Sequence, residues 1–524
     1  MRILFSLFFL SFNLNAQQWL GISTSNYAGT YSLYPNPANV ADSRYKFFMN
    51  IAGGNAEFTN NYASWAAPYS FIGMATNTVS DTYRASNGLV GFKSSYIDEA
   101  RNQPNTTSFA AADIKGPSMI YTFEKAKFAI GFTSRVRILN NLAYTTADVA
   151  HIMVQGTVVP DVYGIPQKNN HFTMNLNAYS EMGLTFGVVI KEQEQDYLKV
   201  GFTVKRVNGL LNLHYLVNEA DFRIDPNAAR PKRQNLLFEN VVGTYGTTTT
   251  DAIRTAGFSP NWLFGKQAAG TGYGFDIGAV YEFRPNFDKY DMKIKGKWQI
   301  DGTKNKYLYK ISIALLDIGR LNYNNPNFVN QIKISEKNIL ITPGTFTKID
   351  APDKLYKQTN TAFGLQESDY SHSFVSPLPM AFSANFDYKL SDKLYFNTTW
   401  IQSLTNQNRI GSSQPSIVAF IPRYETKWFD VAMPLALING YRNFTVGLAG
   451  RVGPLFLGTD NLGGVLNIGN PKGINAYFGL SLPLFRKLPD APNGCYVEEK
   501  STLRQELRKV FSKRKQRQRW NRIR

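Results

Sequence analysis

At 524 residues the chain is long enough for several ordinary domains or for one large all-β unit. Charged residues make up 18% and aromatics 14%, so charge is low for a soluble globular protein and the composition suits a sheet whose two faces differ. The net charge of +19 is uneven, with eleven basic and three acidic side chains in residues 496–524; this is not the spread basic footprint of a nucleic-acid binder. A single cysteine, Cys495, excludes an intrachain disulfide framework.

Residues 1–16 read as an export signal: Arg2, the apolar run Ile3–Leu14, then Asn15-Ala16 as a small-residue cleavage site. The run is too short to cross a bilayer as a helix, and no later segment approaches the roughly 18 apolar residues such a helix needs. From Gly29 to Asn39 the chain cannot be regular structure. Pro35 and Pro37 lack N–H groups and force extended neighbours, while Asn36 and Asn39 favour turns. This compact stretch within residues 17–43 is expected to be a hatch or plug, with Tyr34, Pro35, Asn36, Pro37, Ala38 and Asn39 as its luminal candidates. A packing element at the barrel entry is the alternative reading of the same residues. Arg44–Ile51 then alternates as a first strand, with Tyr45, Phe47 and Met49 assigned to one face and Lys46, Phe48 and Asn50 to the other.

From there to residue 488 the chain repeats runs of about ten residues with period two, in antiparallel pairs. Examples are Ser118–Phe123 with Lys127–Leu139, Met182–Lys191 with Tyr197–Asn208, Gly274–Phe283 with Tyr307–Ile318, and Met380–Leu390 with Lys393–Ile401. Soluble sandwich strands are usually nearer five or six residues, so strand length favours a transmembrane antiparallel β-barrel. In Gly201–Val207 and Ala384–Lys389 the minority face carries charges and amides, which a wet lumen tolerates and a dry core does not. The expected fold is all-β, about fourteen strands with a range of twelve to sixteen. Short connections are placed on the periplasmic side. The long polar stretches Ala143–Asn169, Asp225–Gly272, Pro285–Lys306 and Asn324–Ser376 are placed outside, and Thr78–Ala112 is given a helix or two at the plug or rim.

Little points to catalysis. The four histidines, His151, His171, His214 and His372, have no metal-ligand spacing. Neither a Gly-x-Ser-x-Gly elbow nor a phosphate-cradling glycine loop occurs. Gly270-Thr-Gly272-Tyr-Gly274 fits small residues on a barrel wall better than a dinucleotide turn, because a strand follows it. Asp460–Gly464 reads as a tight turn. No enzyme activity, cofactor or metal is expected. The tail 489–524 opens with Glu498 and Glu499 and carries Leu503, Leu507, Val510 and Phe511 on one helical face, followed by dense positive charge. It is a basic helix or a solvated tail, with Arg504, Arg508, Lys509, Lys513, Arg514 and Lys515 as candidates for anionic lipid or a periplasmic partner.

Ser32-Leu-Tyr-Pro-Asn-Pro-Ala-Asn-Val-Ala41 resembles the N-terminal Asn-Pro-Ala motif of the long-chain fatty-acid transporter family of outer-membrane barrels, and of related barrels associated with type IX secretion. Gly274–Tyr281 with Ile311–Gly319 resembles their central strand pair. Gly450–Leu462 with Lys472–Leu480 is similar to the closing strands of a family of unknown function among exported barrels of Gram-negative bacteria. The resemblance implies an outer-membrane location in contact with lipid, a fourteen-strand barrel with an internal hatch, and a conduit for a small, possibly hydrophobic, molecule. The alternative is a non-transporting barrel that anchors or assists a secretion or cell-surface complex.

Overall fold

The computed structural model describes residues 19–486, apart from 124–126, 194, 228–233, 249–267, 286–289, 295–296 and 347–351. Fourteen antiparallel strands close into one barrel. In chain order they are β1 (Tyr45–Asn60), β2 (Thr106–Lys115 continued by Ser118–Phe123), β3 (Phe128–Thr145), β4 (Gln167–Gln193) and β5 (Asp196–Asp225). Then come β6 (Asn235–Thr248 continued by Gly270–Phe283), β7 (Tyr309–Tyr323 continued by Val329–Ile341), β8 (Phe374–Pro377 and Ala381–Lys389), β9 (Leu394–Ser403) and β10 (Ile417–Glu425). The circuit ends with β11 (Phe429–Ala432 and Leu435–Ile438), β12 (Asn443–Val446 and Leu448–Val452), β13 (Leu455–Thr459) and β14 (Gly473–Phe485). β14 pairs with β1 from Phe485↔Tyr45 to Gly473↔Thr59, so the sheet has no free side edge along that seam.

The strands are far from equal. β4 and β5 run for 27 and 30 residues, about three times the 9–11 that span a bilayer. They rise past the others at one end. There the upper pieces of β6 and β7 pair with each other, while β5 also pairs with β6 along both of its pieces.

Strand parity fixes which connections share an end. β6 descends into residues 284–308 and β7 climbs out of them, so this stretch lies at the same end as the short turns 390–393, 426–428 and 453–454. Pro285–Lys306 is therefore not an outer loop. It carries its own hairpin, Asp291–Ile294 with Lys297–Ile300. Thr78–Ala112 also differs from expectation: it holds two 3-10 turns, Asp81–Tyr83 and Ser94–Tyr96, and its end belongs to wall strand β2. The period in β1 breaks as well. An irregularity between Tyr45 and Phe47 turns Tyr45 inward with Phe48 and Asn50. Asp460–Gly464 is no simple turn either, because Asn461 caps a short helix, Leu462–Leu466, by accepting from Gly464 N–H at 2.9 Å.

The two faces of the wall divide by chemistry. Outside, large apolar side chains stay exposed around the circumference, among them Met119, Leu184, Phe202, Ile277, Ile313, Trp400, Phe420, Leu437, Leu457 and Leu482. Phe128, Phe186, Phe202 and Phe275 form a chain of stacked rings across β3–β6, with centroids 6.4, 5.2 and 6.1 Å apart. Inside, buried amides, hydroxyls and charges alternate with apolar patches, one of which lies on β10–β14 and includes Ile417, Ile421, Ala432, Ala436, Phe456 and Tyr477.

Candidate functional site

The lumen is occupied. Residues 19–44 fold into a helical turn, Leu20–Ser23, and two 3-10 turns, Gly29–Leu33 and Pro37–Val40; most of this segment is buried, the rest half-buried and none of it exposed. Its contacts reach opposite walls. Asn36 Nδ2 donates to the carbonyls of Ala279 on β6 and Ile313 on β7, at 3.1 and 2.9 Å. Asn36 Oδ1 accepts from Ala38 N–H, which closes the Asn-Pro-Ala turn. Across the barrel, Leu20 N–H donates to Asp460 at 3.1 Å and Ser25 Oγ to Asp430 of β11 at 3.1 Å. Asn26 Nδ2 bridges Tyr307 and Glu425 at 2.7 and 2.9 Å. Trp19 stacks on Tyr477 with ring centroids 5.8 Å apart and also packs on Tyr31 and Phe456.

The wall is shaped to receive residues 36–41. Ala129, Gly187, Gly201, Gly278 and Ala314 are cross-strand partners in one row over β3–β7. A Cβ on Gly201 would lie 2.7 Å from Ala38 Cα, one on Gly187 would overlap Val40, and one on Gly278 would overlap Asn36. The row is the seat of the proline turn, where backbone approaches backbone. Lys199 Nζ reaches the Ala41 carbonyl at 3.1 Å. Below it Asp42 pairs with Arg44, Arg284 and Arg486 at 3.1, 2.9 and 3.2 Å. Burial alone would raise this carboxyl; the charges of Arg44, Lys306, Arg284 and Arg486 together hold it well below the usual carboxylate range.

Above the segment lies a layer of buried ions contributed by β2–β7. Asp113, Glu181, Asp276 and Asp317 face Lys115, Arg135, Arg137 and Lys205, so the layer is neutral overall. The pairs include Arg135–Glu181 at 2.9 Å, Arg137–Asp317 at 2.8 Å and Lys205–Asp276 at 2.7 Å. The aromatic rings of the segment meet this layer directly. Lys115 Nζ sits 4.0 Å over Trp19 and 4.6 Å over Tyr34, and the Arg135 guanidinium lies 4.6 Å from the Tyr34 ring centre. Small cavities line one flank of the segment. One, of about 40 Å³, is bounded by Tyr34, Pro35, Arg135, Asp317 and Gln414. A second, of about 60 Å³, is bounded by Asn26, Asn39, Asp42, Ser312 and Asn397. Each has room for no more than a few waters.

A second obstruction follows at the opposite end. The connection 404–416 dips inward and buries Gly411, Ser412, Ser413 and Gln414. Three asparagines of β3 and β4 hold it: Asn141 exchanges two bonds with Ser413 at 2.7 and 3.0 Å, Asn175 accepts from Gly411 N–H at 3.1 Å, and Asn177 donates to Ser412 Oγ at 2.8 Å. Beside it Phe109, Leu139, Tyr179, Leu321, Tyr323 and Phe374 form an apolar cluster with Ile410.

The sequence candidates therefore separate. Tyr34, Pro35, Asn36, Pro37, Ala38 and Asn39 come together inside the barrel, with Tyr34 against the ion layer, Asn36–Ala38 on the glycine row, and Asn39 Nδ2 donating to Ser32 O at 2.9 Å. The tail candidates Arg504, Arg508, Lys509, Lys513, Arg514 and Lys515, like the export signal, lie outside the described residues. Reading the sequence missed Asp42 and the inward-folded connection 404–416, and took Asp460 only as part of a tight turn. Asp42 sits in a polar stretch that looks like a linker. The small-residue row was visible one strand at a time but not as a row.

Solved structures similar to this chain include the toluene transporter TbuX of Ralstonia pickettii, with 9% identity, 91% of this chain and 100% of that chain covered, and a TM-score of 0.36. Two others are the Pseudomonas putida toluene transporter TodX (10% identity, 88% and 95% covered, TM-score 0.30) and a Pseudomonas aeruginosa FadL homologue (12%, 89% and 98%, 0.29). No curated protein matches the chain. The profile of a family of unknown function, DUF5723, matches residues 37–460, and the chain belongs to that family.

Proposed function

We propose that this chain is an outer-membrane barrel acting as a gated conduit for a small solute, with residues 19–44 as the hatch. The exposed apolar belt supports the membrane assignment, since a surface of that extent needs a lipid cover. The observation that carries the gating reading is how the segment is held. Its first half, Trp19 to Leu33, packs in an apolar cluster with Ile417, Ala432, Phe456 and Tyr477, whereas residues 36–44 rest on the row of small residues, are tied by side-chain hydrogen bonds and ion pairs, and border a water-sized crevice. The contacts of residues 36–44 exchange for water more readily than the apolar cluster does, so this half is the part that moves.

The lining argues about cargo. The resemblance implied a small, possibly hydrophobic, molecule, yet the axis passes eight buried charges and a set of asparagines. Moving a hydrocarbon past them leaves polar groups unsolvated, whereas a small polar or zwitterionic solute replaces their partners in kind. We therefore assign the conduit a polar cargo. The test is conductance in planar bilayers. Wild-type protein should be closed with rare brief openings, and Asn36→Ala combined with Asp42→Asn should raise the open probability by about tenfold or more, since tenfold is already the worth of one charge-assisted buried contact and these changes remove several. A folded variant that stays silent, and equally silent to sugars and amino acids in liposome swelling, would sink the conduit.

A further inference from the structure

The barrel wall has a notch. β13 is only five residues long and pairs with Leu448–Val452 of β12 and with Leu480–Tyr477 of β14. Above it, Asn443–Val446 of β12 pairs with β11 on one side and among the described residues has no ladder partner on the other, where the Asn443 amide reaches across to Thr59 Oγ1 and Asn60 O at 3.2 and 2.7 Å. The facing edge of β14 is covered differently: Asn461 Nδ2 donates to Gly473 O at 2.9 Å and Thr459 Oγ1 to Asn475 O. Between the two edges lies a cavity of about 530 Å³, an order of magnitude larger than the luminal crevices.

Three kinds of residue line it. Phe444, Val446 and Ile468 are exposed apolar side chains at its outer lip, with Leu466 beside them. Its floor is Thr59, Asn443, Thr445 and Asn461. Arg442 and Lys472 stand at its loop-end rim; Lys472 Nζ reaches only the carbonyl of Asn61, at 3.3 Å, and the exposed Arg442 guanidinium has no acidic partner among the described residues. Inside a bilayer an open strand edge is costly unless something fills it. Apolar groups toward the lipid, amides within and two unneutralised cations at the rim are complementary to an amphiphile with an anionic head.

We infer that this notch binds one membrane lipid with a phosphate headgroup. The phosphate lies between Arg442 and Lys472, and an acyl chain runs along Phe444, Val446 and Ile468 to complete the wall. The inference needs the barrel to sit in a bilayer and is independent of whether the lumen conducts. Native mass spectrometry of the full chain in an uncharged detergent, with phosphatidylglycerol and phosphatidylcholine of matched chains as probes, tests it. One phosphatidylglycerol should be retained in preference to phosphatidylcholine. Arg442→Ala with Lys472→Ala should weaken that retention by about tenfold or more, as expected for losing charge-assisted bonds to phosphate. Val446→Trp, which fills the outer lip and keeps both cations, should also displace the lipid. Lys333→Ala with Lys337→Ala, two exposed cations on the upper piece of β7, should leave retention unchanged. Heat-modifiable gel migration checks that each variant is folded. Equal retention of the two lipids, loss of preference in the β7 variant, or a co-purifying polypeptide cross-linking to position 444 in place of lipid would each overturn the assignment.

Discussion

Gly201 meets the backbone of Ala38, not a flexible side chain, so nothing nearby can give way to a larger residue. Gly201→Val should push residues 36–41 off the wall. Overpacking costs about 1–3 kcal/mol, and about 1.4 kcal/mol is tenfold in a population, so the open probability in bilayer recordings should rise by about tenfold. Gly450→Ala is the matched control, because its added Cβ would have its nearest neighbour 3.9 Å away, and it should behave as wild type. Asp42 gives a pH prediction. Its carboxyl titrates well below the usual range in the closed state, so its contribution is complete above the ordinary aspartate pKa of about 3.9 and fades only as pH falls through the lower, closed-state value. The contribution of Asp42 should therefore be the same at pH 5 as at pH 7, so the ratio of openings in Asp42→Asn to those in wild type should not change between them; a ratio that falls as pH drops from 7 to 5 would contradict this. The two kinds of residue were not equally visible in sequence. Asn36-Pro37 declares itself locally, through backbone that cannot be strand. Asp42 does not, because its partners Arg284 and Arg486 are 242 and 444 residues away.

At the scale of elements, strand alternation was legible because each wall residue has only two environments, lipid-side or lumen-side. It failed where a bulge shifts the phase, as at Tyr45, and where a strand is interrupted. β6 and β7 each break into two pieces, and placing connections by length and polarity alone sent Pro285–Lys306 to the wrong end of the barrel. The lengths of β4 and β5 were also underread, since their upper halves carry mixed polar and apolar residues and lack the clean alternation of their lower halves. The distinction between the halves can be measured. Phe202 lies in the outer ring stack and is exposed, so Phe202→Arg should cost about 2–4 kcal/mol of folding into phospholipid vesicles. Asn218, on the upper part of the same strand and also exposed, should accept Arg within about 0.5 kcal/mol. Urea titrations read by heat-modifiable migration report both; equal costs would mean that the bilayer reaches the top of β5.

The whole molecule presents two obstructions in series, the N-terminal segment near the short-turn end and the 404–416 connection near the other, with the neutral ion layer between them. Asp42 and Asn141 share no partner: the first is held by Arg44, Arg284 and Arg486, the second by Ser413. Perturbations at sites without common partners usually add in free energy, so their effects on open probability should multiply. Asp42→Asn should raise openings by a factor set by the segment, Asn141→Ala by a factor set by the 404–416 connection, and the double variant by the product of the two. The ion layer gives this arrangement a physical purpose. Trp19 and Tyr34 cap Lys115 and Arg135 from one side, and Gln414 bounds the same cavity from the other. A double variant no more open than Asp42→Asn alone would show that the connection is no barrier and that the segment gates by itself. A double variant open far beyond the product would show that the layer transmits motion from one obstruction to the other, since breaking buried pairs on one face then leaves uncompensated charge on the next.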